Sequence, residues 1–318
     1  MVGRVSWACA MSLLLGLCIQ LAQPVVALAG TPPPFVRQWG SFGSAAGQFM
    51  FPYGIAVAPS GNVYVTDQVN NRVEVFAPDG SFINQFGSYG TGLGQFSNPY
   101  GIAVDPAGTV YVVDRENGRI QKFAASGAPL AQWDGSDSPL GAFALPLGIA
   151  VEADGSLLIT DAGRNLVFRY TNDGHYLAYF GDASFDFPEG IAVEHGGQIY
   201  VTNQHGVTKH LPSGELIGQM LFTGGPSGLA VDQSDNLYVV EHNTQTVYKY
   251  SSGGVLLTQW GSFGTGPGEF DTPANVALDQ YGFVYVSDLG NSRVQVFGDS
   301  PTPAANATWG QVKDRYRK

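Results

Sequence analysis

The stretch that decides the fold is Pro99-Tyr-Gly-Ile-Ala-Val-Asp-Pro-Ala-Gly-Thr-Val-Tyr-Val-Val-Asp-Arg-Glu-Asn-Gly-Arg-Ile-Gln-Lys-Phe123. Its pattern returns five more times, at residues 52–76, 146–170, 188–211, 226–250 and 273–297. The opening prolines of successive copies are 47, 47, 42, 38 and 47 residues apart. A repeat of this length indicates an array of one supersecondary unit, in which each copy buries its apolar face against its neighbours.

Within the unit, apolar residues alternate along short runs that are rich in β-branched and aromatic side chains. The turn sequences Asp-Pro-Ala-Gly, Arg-Glu-Asn-Gly and Ala-Ser-Gly separate these runs. A fourth run, residues 129–133, follows the quoted stretch, and four antiparallel strands make one propeller blade. The sequence therefore predicts an all-β fold, a six-bladed β-propeller of four-stranded antiparallel blades.

The two ends of the array predict how the ring closes. Residues 35–49 match the tail of a blade, as in residues 82–96, but they precede the first complete unit. The sixth unit ends at Phe297, one strand short. We therefore expect residues 35–40 to complete the last blade as its outer strand, which pairs the termini and removes the open sheet edges.

The recurring phrases resemble those of a known family. Pro-x-Gly-Ile-Ala-Val-Asp, then Tyr-Val-x-Asp, then Asn-x-Arg-Val/Ile-x-x-Phe, are similar to the NHL repeat of β-propellers, and the resemblance covers residues 35–297. It implies the propeller fold but leaves the function open. NHL propellers occur in extracellular sensors, in RNA-binding and ubiquitin-ligase scaffolds, and in the lyase that finishes peptide amidation, so function has to be argued from sites.

The N-terminal segment and the composition indicate an exported protein. Residues 1–29 carry Arg4, an apolar run and Ala27-Leu28-Ala29, a pattern typical of a secretory signal peptide. Both cysteines, Cys9 and Cys18, lie in this leader, so the cleaved chain has no thiol for catalysis, disulfides or metal binding. The net charge of −11 argues against nucleic-acid partners, which need a basic surface. We expect a monomeric propeller, secreted, periplasmic or at the cell surface, with no transmembrane span after signal removal.

The predicted domain boundaries follow from these patterns. The propeller occupies residues 30–299, and residues 300–318 form a Pro/Ala/Thr linker followed by a basic amphipathic tail. The tail suggests one alternative function, a structural protein of the cell envelope that is attached through its C-terminus.

Aligning the six copies against one another reveals a repeated acidic position. It is occupied by Asp67, Asp114, Asp161, Asn203, Glu241 and Asp288. Five residues later, three of the copies carry an arginine, namely Arg72, Arg119 and Arg293. We expect a partly exposed ion pair that bridges a hairpin and orients its loop, contributing at most about 1 kcal/mol.

The two faces of the propeller differ in charge. We call upper the face that carries the loops into strand one and between strands two and three of each blade, and lower the opposite face. The lower loops contain many Asp and Glu residues, such as Asp154 and Asp235, and no Lys or Arg. We interpret the lower face as a solvating surface of one sign.

The mouth of the upper face is lined by the residue after each opening proline. These residues are Tyr53, Tyr100, Leu147, Glu189, Ser227 and Ala274. A mixed aromatic and charged mouth of this kind suits a ligand, although tyrosines that only pack against their neighbours would give the same pattern. We predict a non-catalytic binding module for an unknown protein, glycan or small molecule, with its site formed by Tyr53, Tyr100, Arg72, Arg115, Arg119 and Glu189.

The enzymatic alternatives depend on metal ligands at the same mouth. The resemblance to the amidation lyase implies zinc held by histidines, but the mouth positions contain no His, and only His205 and His242 belong to the upper face. We therefore predict no cofactor and no catalytic residues. Lactonase-like propellers use calcium ringed by Glu and Asn, which Glu189, Asn203 and Asn275 could imitate. A metal-dependent lyase or lactonase-like hydrolase at the central mouth thus stays as the alternative.

Overall fold

The chain folds into six four-stranded antiparallel sheets, in a computed structural model that describes residues 30–181 and 184–298. This confirms the predicted six-bladed propeller. The predicted signal peptide, residues 1–29, and the tail, residues 300–318, lie outside the described residues. The described residues contain no helix long and apolar enough to cross a lipid bilayer.

The strands are numbered in chain order, and the blades in the order of their opening prolines. Strand β1 is Phe35–Trp39; blade 1 contains β2 Pro52–Val57, β3 Val63–Asp67, β4 Arg72–Phe76 and β5 Phe82–Phe86; blade 2 contains β6 Pro99–Val104, β7 Val110–Asp114, β8 Arg119–Phe123 and β9 Pro129–Trp133; blade 3 contains β10 Pro146–Val151, β11 Leu157–Asp161, β12 Leu166–Tyr170 and β13 Tyr176–Phe180. Blade 4 contains β14 Ile191–Val193, β15 Ile199–Asn203, β16 Gly206–His210 and β17 Leu216–Leu221; blade 5 contains β18 Pro226–Val231, β19 Leu237–Glu241, β20 Thr246–Tyr250 and β21 Leu256–Trp260; blade 6 contains β22 Pro273–Leu278, β23 Val284–Asp288 and β24 Arg293–Phe297.

The hydrophobic core lies between the blades. Each of six buried clusters joins side chains of two neighbouring blades, as where Val65 and Phe76 of blade 1 meet Tyr285 of blade 6. The second strand of every blade is buried along its whole length because both faces of the sheet are covered there. No blade can bury its apolar surface alone, which is why the sequence repeats the unit around a ring.

The first strand closes the ring, as predicted. Strand β1 pairs antiparallel with β24, with Phe35 opposite Phe297 and Trp39 opposite Val294, and it completes blade 6 as its outer strand. Trp39 packs against Phe76 of blade 1, with ring centroids 5.6 Å apart. The closing strand therefore links the last blade to the first and covers the edge that β24 would otherwise expose.

Candidate functional site

The backbone of the upper mouth is held by hydroxyl groups between the blades. Thr66 Oγ1 accepts the N–H of Gly54 at 2.7 Å and donates to the carbonyl oxygen of Tyr100 in the next blade at 2.7 Å. Two other mouth residues are held in the same way. The Thr160 hydroxyl donates to the carbonyl oxygen of Glu189 at 2.7 Å, and the Ser287 hydroxyl donates to that of Tyr53 at 2.6 Å. The mouth residues thus sit on a preorganised frame.

The glycine in the Pro-x-Gly phrase allows the blades to approach this closely. A Cβ atom at Gly54 would lie 2.2 Å from the carbonyl oxygen of Tyr100, and one at Gly148 would lie 2.2 Å from that of Glu189. Any side chain at these positions would force the inner strands apart. The sequence pattern therefore reports a steric requirement at the centre of the ring.

Three of the six predicted site residues meet in the mouth. The rings of Tyr53 and Tyr100, from blades 1 and 2, lie with centroids 3.8 Å apart and planes tilted by 31°. Both hydroxyls donate to the same oxygen, Oε1 of Glu189 from blade 4, the Tyr100 hydroxyl at 3.0 Å. Leu147 occupies the same repeat position in blade 3, which lies between the blades of Tyr100 and Glu189, and it is buried. The closed ring thus brings together residues that are 136 positions apart in sequence.

The electrostatics of this cluster keep the tyrosines protonated. Burial, followed by the nearby charge of Glu189, raises the pKa of the Tyr53 hydroxyl well above its usual value. The same two causes raise the pKa of Tyr100. Each phenol therefore stays a hydrogen-bond donor over the physiological pH range, and Glu189 is the acceptor of the cluster.

Arg115 joins the mouth at its rim. Its guanidinium carbon lies 5.4 Å from the centroid of the Tyr100 ring, and its NH1 lies 3.3 Å from the carboxylate of Glu116. The Arg115 side chain is 28% exposed, so it can still meet a ligand from above. The cation–π contact places a positive charge on the Tyr100 side of the mouth.

Arg72 and Arg119 do not reach the mouth, because their donors are already engaged. Arg72 donates to Asp67 Oδ2 at 3.1 Å, to Gln85, and to the carbonyls of Ser44, Ala45 and Gln48. Arg119 repeats this set with Asp114, Gln132 and the carbonyls of residues 91, 92 and 95. Neither lines the central channel.

The prediction that the repeated Asp–Arg pair is partly exposed is wrong. The side chains of Asp67, Asp114 and Asp288 are fully buried, and those of their arginine partners are 6–8% exposed. The acidic position also accepts a backbone N–H from the loop that enters the first strand, as Asp67 does from Met50 at 2.8 Å. The pair is therefore an internal staple of the upper loops rather than a ligand anchor.

The residues of the calcium alternative are only partly brought together. Glu189 and Asn275 both line the central channel, a cavity of about 70 Å³, whereas Asn203 does not. The side-chain oxygen of Asn203 accepts the N–H of His205 at 2.9 Å. Within residues 30–181 and 184–298, no three His, Cys, Asp or Glu side chains group so that they could hold a metal ion.

The lower face is less acidic than its loops indicate. Arg169, Lys209 and Lys249 reach down from the third strands and pair with Glu152 at 2.6 Å, Glu194 at 3.2 Å and Asp232 at 3.2 Å, respectively. The interpretation as a surface of one sign is therefore wrong for these three blades. The loop sequences do not reveal these three cations, because they belong to the strands and only their long side chains extend past the strand ends.

The lower face carries a larger recess that the sequence did not reveal. Its volume is about 500 Å³, and loops of all six blades line it. The half-buried side chains at the ends of the first strands, Val57, Val104, Val151, Val231 and Leu278, contribute an aliphatic surface. Spacing along the chain does not show how far six loops stand apart around a closed ring.

Comparison with known proteins identifies the repeat. The family model of the NHL repeat matches residues 49–76, 96–123 and 270–297. The chain carries NHL repeats. These three matches fall on blades 1, 2 and 6, which are consecutive in the closed ring and are the blades that contain the arginine staple.

Among curated proteins, the human "NHL repeat-containing protein 3" is 30% identical over 153 residues, which is 40% of this chain. The match covers 44% of that protein, so this chain aligns with less than half the length of the relative.

Solved structures share the fold. A gluconolactonase from Xanthomonas campestris is 18% identical with a TM-score of 0.65, and the match covers 88% of this chain and 99% of that one. The virginiamycin B lyase from Staphylococcus aureus is 16% identical with a TM-score of 0.58, covering 83% and 88% of the two chains. At these identities the likeness concerns the propeller fold alone.

Proposed function

We propose that the protein is an exported, non-catalytic binding module that recognises its partner at the upper mouth of the NHL propeller. The observation that carries this proposal is the convergence of Tyr53, Tyr100 and Glu189 from three blades. A carboxylate that is held by two donors and flanked by aromatic rings is a preorganised acceptor. Export rests on the signal-peptide pattern of residues 1–29.

The geometry favours a partner group that donates hydrogen bonds. Glu189 is the acceptor at the centre, and the two arginines that would have held an anion beside it, Arg72 and Arg119, are committed to their loops. An ammonium, guanidinium or amide group complements Glu189, while an acidic or aromatic part of the same partner can meet Arg115 at the rim. The narrow channel below admits only a small group, so most of the partner stays outside the ring.

The test uses a binding screen with the purified protein, followed by two double variants. Tyr53→Ala with Tyr100→Ala should abolish binding of any ammonium, guanidinium or amide ligand that the screen identifies, because aromatic anchors of this kind contribute about 2 kcal/mol each. The lower-face control, Asp154→Asn with Asp235→Asn, should keep the ligand. Loss in the lower-face variant, with retention in the tyrosine variant, would refute the assignment of the site.

A metal-dependent hydrolase or lyase is the second candidate, favoured by Glu189 and Asn275 lining one channel of a fold shared with a gluconolactonase and a lyase. Calcium titration by calorimetry distinguishes the two functions. Binding of one calcium ion that is lost in Glu189→Gln would favour the hydrolase, and the absence of a binding heat would favour the recognition module.

A further inference from the structure

Three loops of the upper face expose an aromatic side chain at the same repeat position. The loops leading into blades 1, 2 and 6 span residues 41–49, 88–96 and 262–270, and they read Ser-Phe/Tyr-Gly-Ser/Thr-x-x-Gly-Gln/Glu-Phe. Phe42, Tyr89 and Phe263 are 70%, 75% and 72% exposed. Blades 6, 1 and 2 are consecutive, so the three rings follow an arc along the rim, outside the central mouth.

The loops hold these aromatics rigidly. The residues flanking Phe42 bond to buried Phe49, with the N–H of Gly43 to its carbonyl at 3.1 Å and its N–H to the carbonyl of Ser41 at 2.9 Å. The same pair of bonds joins Tyr89 to Phe96 and Phe263 to Phe270. The arginine of each staple binds three further carbonyls of its loop. An exposed apolar ring on a preorganised loop indicates an interaction surface, because binding there does not require the loop to be ordered first.

We propose that Phe42, Tyr89 and Phe263 form a binding surface for a neutral polysaccharide. Each aromatic ring can stack on the apolar C–H face of a pyranose, and the neighbouring Ser and Thr hydroxyls can bond to sugar hydroxyls. Three equivalent sites at a repeated spacing match a polymer with a repeated unit. The weak contacts then add through multivalency.

The charge of the surface selects this occupant over others. The three loops contain one charged side chain, Glu269, and its carboxylate turns back to accept the N–H of Gly266 at 2.8 Å. A net charge of −11 disfavours nucleic acid and anionic polysaccharides. A compact protein epitope would be met by clustered aromatic and arginine anchors in a pocket, whereas these rings stand apart and the arginines lie buried beneath them.

The experiment is native affinity electrophoresis of the full chain in gels that contain hydroxyethylcellulose, laminarin or galactomannan, with alginate as the anionic comparison. The test variant is Phe42→Ser/Tyr89→Ser/Phe263→Ser. The matched control is Leu130→Ser/Leu177→Ser/Ile217→Ser, which removes three apolar side chains, 53%, 50% and 41% exposed, from the outer strands of blades 2, 3 and 4. Because all six side chains are exposed, both variants should keep the melting temperature of the parent.

We expect at least one neutral polysaccharide to retard the parent. The apparent affinity of the test variant should be lower than that of the parent by a factor of about ten or more, and that of the control should be unchanged. The mouth variant Tyr53→Ala/Tyr100→Ala should be retarded like the parent, which separates this surface from the central site. The proposal is overturned if no neutral polysaccharide retards the parent, or if the test variant is retarded equally. It is also overturned if the aromatic triple instead removes a concentration-dependent dimer in sedimentation, since the surface would then join two copies.

Discussion

Blades 6, 1 and 2 and blades 3, 4 and 5 share one strand pattern but fix their upper loops differently. In the first group, which we call the regular half, a buried arginine binds an acidic side chain and three carbonyls of a glycine-rich loop. In the second, the divergent half, Leu166 and Thr246 occupy the arginine position, and blade 4 shortens the hairpin to two residues between Asn203 and Gly206.

The acidic position itself serves both halves. Asp161 accepts the N–H groups of Ala144 and Leu145 at 2.8 and 2.9 Å, and Glu241 accepts the N–H of Gly224. In five blades this side chain satisfies backbone donors where the chain enters the first strand, but only the long glycine-rich loops leave carbonyls that need a guanidinium. The difference teaches that the acidic residue belongs to the fold, whereas the arginine belongs to the loop. The candidate mouth joins the halves, since its tyrosines come from one and Glu189 from the other.

The largest effect is expected from opening the ring at the regular half. Deleting residues 30–40 removes β1, its pairing with β24 and the contact of Gln38 with Arg293. We expect destabilisation of more than about 4 kcal/mol, or aggregation through the exposed sheet edge. Soluble yield and the melting temperature measure this. A soluble deletion variant that melts with the parent would show that β1 does not close the propeller.

The second-largest loss of stability is expected from breaking one Asp–Arg staple. Arg119→Leu copies Leu166 of the divergent half and leaves the buried Asp114 carboxylate without its cation, at a cost of about 3 kcal/mol. Adding Asp114→Asn, which imitates Asn203, should recover part of the loss. Urea unfolding of the single and double variants measures both changes.

The control for this prediction lies in the divergent half. Arg164 is 28% exposed, bonds to the carbonyl of Ala142 at 2.6 Å and lies 3.7 Å from Asp161. Arg164→Leu should cost less than about 1 kcal/mol. Equal losses in the Arg119 and Arg164 variants would remove the distinction between the two halves.

A pH-dependent effect is expected within the regular half. Blades 2 and 6 carry Gln121 and Gln295 where blade 1 carries Glu74, whose Oε2 is buried without a partner. Burial raises the pKa of Glu74 to about 7 from a usual 4.5. The folded protein therefore holds this proton more tightly than the unfolded chain, so the contribution of Glu74 to stability is greatest below pH 4.5 and falls as pH rises towards 7.

Glu74→Gln should remove this slope and stabilise the protein above pH 7 by about 3 kcal/mol or less. The reason is that the new amide would occupy in blade 1 the position of Gln121, which donates in blade 2 to the carbonyl of Gln95 at 2.6 Å and to Asp114 at 2.9 Å. The equivalent acceptors in blade 1 are the carbonyl of Gln48 and the carboxylate of Asp67. Free energies of unfolding at pH 5 and pH 8 test it, with Gln121→Glu as the reciprocal variant. Parallel pH profiles for the parent and Glu74→Gln would contradict the assignment.

The smallest effect is expected from chelation. If the mouth joins the two halves through hydrogen bonds between tyrosines and Glu189, removing metal should leave the melting temperature unchanged. Elemental analysis before and after treatment with EDTA accompanies the melt. One tightly bound zinc or calcium ion per chain, with a lower melting temperature after its removal, would show instead that a metal ties the halves together.

Much of the fold could be predicted because its determinants are local. Alternation along short runs, turn residues between them and a repeated length predicted the four strands of each blade, and the unpaired tail sequence before Pro52 predicted the closing strand. The site could be predicted only in part. Tyr53, Tyr100 and Glu189 share a repeat position, which placed them on one rim, but nothing in the spacing showed that the two hydroxyls would share one carboxylate oxygen.

The sequence by itself determined the propeller, its closure and the rim on which each repeat position lies, because strand period and turn chemistry act over a few residues. The tertiary structure alone decided which side chains are free. It buried Arg72 and Arg119 under their loops, sent Lys209 and Lys249 to the acids of the lower face, and left Phe42 in solvent. The physical reason is that the reach and burial of a side chain depend on how closely neighbouring blades pack around the ring. The sequence of a single repeat does not determine the distance between blades.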